Sequence, residues 1–151
     1  MLIYLAAPLF SLSERAGNRQ LAAALMEAIP GATVELPQDY KHHGKFNDKK
    51  FFANVYAACI AGIERANVVV AVLDGPVADD GTSFEVGYAI ATKKPVIGLR
   101  TDYRLNQELG CNLMLSRGCT AMVYRPSFDE DLAALARDVA RKVKSVMKAS
   151  K

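Results

Sequence analysis

Apolar residues come in short runs along this chain, and between the runs they recur at intervals of three and four. The runs predict five strands, at about 2–6, 32–36, 68–73, 95–99 and 120–124. The spaced segments predict helices over about 11–29, 49–65 and 83–92, and from about 129 into the lysine-rich end. Alternating strands and helices indicate a parallel sheet covered on both faces. We therefore expect an α/β fold, a single-domain doubly wound five-stranded parallel sheet of flavodoxin- or Rossmann-like order 2-1-3-4-5.

Local signals set some of the element boundaries. Ser11 and Glu14 form a capping box at the start of the first helix, and Pro30-Gly31 ends it. The second helix is expected to bury one apolar face, formed by Phe52, Val55, Tyr56, Cys59, Ile60 and Ile63. Residues 37–48 and 101–118 show no regular pattern and follow strands on the carboxyl edge, where long loops are more often functional than idle.

Composition limits the classes of protein that this chain fits. Its 151 residues suit one domain, 1–151, and 51% hydrophobic with 23% charged residues is ordinary for a soluble protein. No run approaches the ~20 apolar residues of a membrane span, and the apolar start lacks the basic region of a signal peptide, so we expect a cytoplasmic protein without a membrane partner. The net charge of +3 comes largely from residues 141–151 and suits the end of a helix, which argues against a nucleic-acid partner.

Several common sites are excluded by what the chain lacks. Cys59, Cys111 and Cys119 have no paired zinc spacing, so we expect reduced thiols and no metal site. His42 and His43 are the only histidines and are expected in a solvated loop. No G-x-G-x-x-G follows the first strand, and neither a G-x-x-x-x-G-K-[ST] nor a G-x-S-x-G motif is present.

The most informative segment begins where the third strand ends. The run 68–73 is followed by Asp74, and further on by Asp79 to Tyr88. We expect Glu85 in the first turn of a helix capped by Thr82 or Ser83, where the helix dipole favours an ionised carboxylate. Ligands of open α/β sheets bind at this edge, so Glu85 is a candidate nucleophile. On spacing alone, a carboxylate that merely complements the helix dipole is equally compatible.

Four segments together resemble the nucleoside 2-deoxyribosyltransferase family over nearly the whole chain. They read IYLAAPLF at 3–10, LPQD at 36–39, VLDG at 72–75 with DGTSFEVGYA at 80–89, and NLML at 112–115. Each segment is weak alone, and their order and spacing carry the resemblance. The resemblance implies that Glu85 attacks the anomeric carbon of a 2-deoxyribonucleoside and forms a covalent deoxyribosyl-enzyme. A second nucleobase then takes the sugar with net retention, without a metal or organic cofactor.

The resemblance also assigns roles around Glu85. Tyr4 would hydrogen-bond the nucleophile, and Asp79 or Asp74 would bind a sugar hydroxyl or help protons move at the base. Without the resemblance, Tyr4 could equally be a packed strand aromatic, and Phe10 a hydrophobic staple. The aspartates could be simple turn residues. The residues that would contact the substrate are Phe10, Gln38, Asp39, Asp80, Gly81, Asn112 and Met114.

Two points bear on assembly and specificity. Asn112, followed by Met114, matches a family segment that enters the neighbouring subunit's site, which implies a homodimer or higher homo-oligomer. The alternative is that Asn112 caps a turn and Met114 fills the core. Cys59 stands where many members carry an aspartate; its place on the apolar stripe favours a core cysteine, and Asp74 or Asp79 would then have to protonate the base.

Two other functions remain compatible with the sequence. A related N-glycoside hydrolase would let water take the second step on a nucleoside or its 5'-monophosphate, and Ser11, Ser13 and Arg15 allow for a phosphate. A noncatalytic nucleotide sensor is the other, because a fold does not determine a function. The neutral Asn112 slightly favours a free 5'-hydroxyl.

Overall fold

The predicted parallel sheet is present in the computed structural model, which describes residues 1–41, 48–105, 107–126, 128 and 131–149. All strand pairs are parallel, and the order is β2-β1-β3-β4-β5, as predicted. The strands are β1 (Leu2–Ala6), β2 (Thr33–Glu35), β3 (Val68–Val72), β4 (Val96–Arg100) and β5 (Ala121–Tyr124). The order reverses between β1 and β3, and such a switch point is where α/β sheets bind ligands.

Within the described residues, five α-helices cover the two faces of the sheet. They are α1 (Leu12–Ala28), α2 (Lys49–Arg65), α3 (Asp80–Ala91), α4 (Leu113–Gly118) and α5 (Leu132–Ala149). Helices α1 and α5 pack together over one face, and α2, α3 and α4 cover the other. The predicted capping box of α1 is confirmed, because Ser11 and Glu14 bond each other's backbone. No helix among the described residues is long and apolar enough to cross a membrane.

Each face of the sheet has its own buried core. Leu5, Leu25, Val70 and Val143 belong to the layer beneath α1 and α5. Tyr4, Ile63, Val69 and Val86 belong to the layer beneath α2 and α3. Burying a side chain of this size is worth about 1.5–3 kcal/mol, so the two cores hold the strand ends in fixed relative positions.

Three expectations about the elements are wrong. Helix α3 begins at Asp80 and is capped by Asp79, three to four residues earlier than Thr82 or Ser83, because the Asp79 side chain accepts from the Thr82 amide. The expected apolar face of α2 is buried only near Ile63, whereas Phe52 and Tyr56 are exposed. Residues 101–118 contain regular structure, namely α4 and a 3-10 turn at Glu108–Gly110. A second such turn spans Pro37–Asp39, whereas His42 and His43 lie outside the described residues.

Candidate functional site

Tyr4 and Glu85 meet at the switch point of the sheet. Tyr4 lies on β1, paired with Val69 of β3, and its side chain is fully buried. Glu85 lies in the second turn of α3, the helix that follows β3. The Tyr4 hydroxyl donates a 2.6 Å hydrogen bond to Glu85 Oε1. This contact joins residues 81 positions apart and fixes the orientation of the carboxylate.

Burial controls the ionisation of both groups. It raises the pKa of Glu85 to about 7, helped by the negative charge of Asp79 and opposed by hydrogen bonding from Tyr4 and Cys59. Burial and the nearby Glu85 raise the pKa of Tyr4 far above its ordinary value. Tyr4 is therefore a permanent donor, and Glu85 gains and loses its proton near neutral pH. Such a shift, in a group held at a ligand edge, is typical of catalytic carboxylates.

Asp79 connects the start of α3 to this pair. Its Oδ2 accepts from the Thr82 amide at 2.7 Å and from the Thr82 hydroxyl at 2.9 Å, which leaves Oδ1 without a partner among the described residues. Asp79, and not Glu85, therefore complements the helix N-terminus. The expected placement of Glu85 in the first turn is wrong, and its raised pKa reflects burial beyond the reach of that turn.

Cys59 also belongs to the site, although the sequence favoured a core position. It is only partly buried on α2, and its thiol influences the pKa of both Tyr4 and Glu85. Burial raises the pKa of the Cys59 thiol, so it stays protonated at neutral pH. The expectation of a core position was wrong because this stripe of α2 packs over Tyr4. The same stripe therefore contributes both to the core and to the site around Glu85.

Gly62, one turn after Cys59, lets two tyrosines approach the same point of α2. A methyl group there would clash with the Tyr40 hydroxyl and lie 2.8 Å from Cε2 of Tyr4. Tyr40 donates to Glu35, which also pairs with Arg65 at 2.6 Å. Sequence analysis missed Tyr40 and Glu35, and a glycine within an apolar helical stripe was the available signal for this close approach.

Asp74 has a different surrounding from the one expected for a catalytic acid. Its Oδ1 accepts from the backbone amides of Thr101 and Asp102, at 2.6 and 2.9 Å, and its Oδ2 accepts from the Thr101 hydroxyl at 2.6 Å. In return, Asp102 accepts from the Gly75 amide at 3.0 Å. Buried Arg100 donates to the carbonyls of Leu73 and Gly75. Asp74 therefore ties the loop after β3 to the loop after β4.

Gln38 and Asp39, which were predicted to contact the substrate, lie in the turn Pro37–Asp39 and contact α1. Gln38 accepts from Asn18 and donates to the Arg15 carbonyl, and Asp39 forms an ion pair with Arg19 at 2.7 Å. Phe10 is 72% exposed in the loop after β1. Gln38 and Asp39 therefore attach their turn to α1, and the ring of Phe10 is accessible.

The remaining candidates sit at the starts of α3 and α4. Asp80 is exposed and accepts from the Gly81 amide at 2.8 Å. Asn112 caps α4 by accepting from the Met114 amide at 2.9 Å. Met114 is 74% exposed, which rules out the alternative of a core methionine within this chain. None of these three side chains is among the groups that shift the pKa of Glu85.

Exposed aromatic side chains extend from α2 onto α3. Tyr56 and Phe84 have ring centroids 6.1 Å apart, and Phe84 stacks on Tyr88 at 6.5 Å. Tyr56 and Phe84 are exposed, as are Leu113 and Met114 on α4, whereas Tyr88 is partly buried. Among the described residues, no group of three or more His, Cys, Asp or Glu side chains is arranged to hold a metal ion.

The fold and the site define a class of protein first: an α/β enzyme with a titrating glutamate at the switch point of a flavodoxin-like sheet. A model of the family Nucleoside 2-deoxyribosyltransferase matches residues 3–114. The chain belongs to this family, and it is an enzyme that acts on N-glycosidic bonds.

Individual relatives agree with this assignment. A nucleoside deoxyribosyltransferase from Limosilactobacillus fermentum is 30% identical over 136 residues, covering 83% of this chain and 80% of the relative. The 2-deoxyribosyltransferase structure from Bacillus psychrosaccharolyticus has a TM-score of 0.71, with 22% identity and 90% of each chain covered. The CMP N-glycosidase BcmB of Clostridium botulinum has a TM-score of 0.60, with 16% identity and 95% and 99% of the two chains covered. Both structures show the same fold.

Proposed function

We propose that this chain transfers the 2-deoxyribosyl group between nucleobases, with Glu85 as the nucleophile. The observation that carries the proposal is the partly buried Glu85 carboxylate, oriented by the 2.6 Å hydrogen bond from Tyr4 at the ligand edge of the sheet. A carboxylate that is ionised near neutral pH and held in one direction suits attack on an anomeric carbon.

The first half-reaction uses the two carboxylate oxygens of Glu85 differently. Oε1 accepts from Tyr4, and Oε2 is the oxygen that attacks C1' of the nucleoside in this proposal. As the C1'–N bond breaks, its electron pair leaves with the base, and the ionised carboxylate stabilises the oxocarbenium-like sugar. The product is a deoxyribosyl ester of Glu85.

The second half-reaction reverses these steps with a new base. A nitrogen of that base attacks C1' from the vacated side, and the bond from C1' to Oε2 breaks. Tyr4 keeps its proton because its pKa is raised, and it stabilises the departing carboxylate. Two inversions at C1' give net retention.

Asp79 is the proposed partner of Glu85 for the sugar hydroxyl or the proton of the base. Its charge acts on Glu85, and its Oδ1 has no partner among the described residues. Asp74 is less suitable, because both of its oxygens bind the loop after β4. We propose that Phe10 packs on the base while Gln38 and Asp39 shape the loop beside it. Asp80 and Gly81 would border the sugar.

We further propose that the working unit is a homodimer or higher homo-oligomer, with Asn112 and Met114 completing a neighbour's site. The exposed Leu113 and Met114 of α4 and the exposed Phe84 of α3 support this assembly. The proposed setting is nucleoside salvage in the cytoplasm. All three cysteines are free, which fits a reducing compartment.

The second candidate function is hydrolysis of a nucleoside or its 5'-monophosphate. The fold that this chain shares with a CMP N-glycosidase is the observation that supports hydrolysis. However, Arg15, the cation at the start of α1 that could pair with a phosphate, already donates to the carbonyls of Leu9 and Phe10. This use of Arg15, together with the neutral Asn112, favours a free 5'-hydroxyl.

The deciding experiment incubates the protein with thymidine and adenine, and separately with deoxynucleoside 5'-monophosphates. Chromatography should show deoxyadenosine and free thymine from the first mixture. Glu85→Gln should abolish exchange, whereas Glu27→Gln on an exposed turn of α1 should not. A slow 2-fluorinated deoxynucleoside should leave a sugar adduct on Glu85, detected by intact mass and peptide mapping. Free base without exchanged nucleoside would overturn the transferase proposal in favour of the hydrolase.

A further inference from the structure

A separate crevice opens on the opposite face of the sheet from Glu85. It has a volume of about 410 Å³ and lies between α1, the start of α5 and the ends of β3 and β4. Leu21, Leu99 and Leu135 form part of its apolar floor and belong to the core layer of α1 and α5. Glu85 and Tyr4 lie on the other side, against α2 and α3. The size is within the range of small-molecule sites.

Gly17 contributes open space to this crevice. It lies inside α1, where glycine is among the poorest helix formers. A Cβ atom at Gly17 would meet nothing within 4 Å, so no packing contact requires the glycine. The volume that a side chain would fill is left to the crevice.

Two polar side chains of the crevice can accept a further hydrogen bond. Asn18 is only 9% exposed; its Nδ2 donates to the Pro8 carbonyl and to Gln38 Oε1, which fixes the amide and leaves Oδ1 without a partner among the described residues. Glu14 Oε2 accepts from the Ser11 amide, and the carboxylate also accepts from the Phe10 backbone, but its two oxygens have about four lone pairs and can accept from a ligand as well. Hydrogen bonds from Ser11 hold the pKa of Glu14 below its usual range, so the carboxylate is ionised.

The charges of the crevice specify the kind of ligand it would accept. Glu14 and Asp74 line it, and no lysine, arginine or histidine does so among the described residues. A ligand that only accepts hydrogen bonds would find no unused donor on these side chains, and an anion would be repelled.

We propose that this crevice binds a small organic amine, whose ammonium group donates to Glu14 and Asn18 while its apolar body rests on Leu21, Leu99 and Leu135. The crevice lies across the sheet from Glu85, although Asn18 also donates to Gln38 of the proposed nucleoside site. Its occupant carries a positive charge that a nucleoside lacks.

The test compares three probes of similar size on the full chain: 2-phenylethylammonium, 2-phenylethanol and 3-phenylpropanoate. We expect the amine to bind about tenfold more tightly than the carboxylate in NMR titrations, because a charge-assisted hydrogen bond is lost in the latter. The amides of Gly17, Asn18 and Gly75 should shift. Absence of amine binding up to about 20 mM, the range expected for a fragment, would overturn the proposal, as would equal affinity for all three probes.

Two variants separate the charge from the space. Glu14→Gln keeps the capping box, which accepts either residue, and should weaken amine binding several-fold without changing binding of the alcohol. Gly17→Phe should abolish binding of both. Glu27→Gln, on the same helix and outside the crevice, is the matched control and should change neither. Amine binding that survives Glu14→Gln unchanged contradicts the proposal even if Gly17→Phe does not fold.

Discussion

Asp79 caps the helix that carries Glu85, and its charge adds to the effect of burial in raising the pKa of Glu85 to about 7. The same carboxylate therefore starts α3 and tunes the proposed nucleophile. Only one oxygen of Asp79 accepts in the cap. A substitution that keeps this oxygen and removes the charge can therefore distinguish capping from the effect on the pKa of Glu85.

The first prediction concerns pH. If Glu85 must be ionised to react, kcat/KM should fall as the pH drops below about 7. Asp79→Asn keeps a side-chain oxygen for the cap but removes the charge that raises the pKa, so the acid limb should move to lower pH. The measurement is kcat/KM against pH for both proteins. An unmoved limb, with α3 intact by circular dichroism, would remove Asp79 from the electrostatics of the site.

The second prediction concerns stability. Glu85 binds its proton more tightly when folded, with a pKa raised from 4.5 to about 7, so the folded state loses stability as the pH rises through this window. Glu85→Gln retains an acceptor for Tyr4 and avoids this cost. Its free energy of unfolding at pH 8 should exceed that of the wild type, by up to about 3 kcal/mol.

Urea unfolding at pH 8 and near pH 4.5 checks this prediction, because the difference should vanish at the lower pH. Glu27→Gln, an exposed substitution of the same kind, should show no such dependence. A variant that is inactive and also less stable at pH 8 would mean that the Glu85 carboxylate makes a net stabilising contribution in the folded state.

Much of the fold could be predicted from the sequence because its strands are continuous apolar runs and its helices carry cap signals. Helix α4 was not predicted because its six residues are too few to show a helical repeat of apolar positions. The start of α3 was misplaced because Asp79, Thr82 and Ser83 are all good caps, and only the geometry selects Asp79.

The site was harder to predict than the fold. The family resemblance brought Tyr4 and Glu85 together, and the structure places them in contact. Periodicity could not distinguish Asp74 from Asp79, because the partners of Asp74 lie 27 and 28 residues away in the loop after β4. Periodicity also placed Cys59 in the core, because an apolar stripe on α2 does not reveal which strand residue it packs against. That residue is Tyr4, whose hydroxyl interacts with the Cys59 thiol.

The third prediction tests Cys59 as a neighbour of Glu85. Cys59→Asp places a second negative charge near the nucleophile, so the pKa of Glu85 should rise and the acid limb of kcat/KM should move to higher pH. Cys59→Asn has nearly the same shape without the charge and should not produce this upward shift of the limb. Identical pH profiles for the two variants would show that residue 59 is too remote to affect Glu85.

The fourth prediction distinguishes Asp74 from a catalytic acid. Both oxygens of Asp74 accept hydrogen bonds from Thr101 and Asp102. Asp74→Asn replaces one of these oxygens with an amide nitrogen that cannot accept, so the free energy of unfolding should fall by about 2 kcal/mol. Thr101→Val removes one of the same bonds and should be destabilising in the same direction. The acid limb of kcat/KM should stay in place in both variants. A shifted limb with unchanged stability would restore Asp74 as a catalytic candidate.

The fifth prediction tests whether two chains share a site. Asn112→Ser keeps a capping side chain for α4 but shortens the group proposed to enter the neighbour's site. Glu85→Gln and Asn112→Ser should each be strongly impaired alone. After the two are mixed and subunits exchange, half of the dimers are mixed, and each mixed dimer contains one site with both native residues. The mixture should therefore recover about a quarter of wild-type activity. If exchange is verified by mass spectrometry and no activity returns, Asn112 acts within its own chain, and the proposed shared site is wrong.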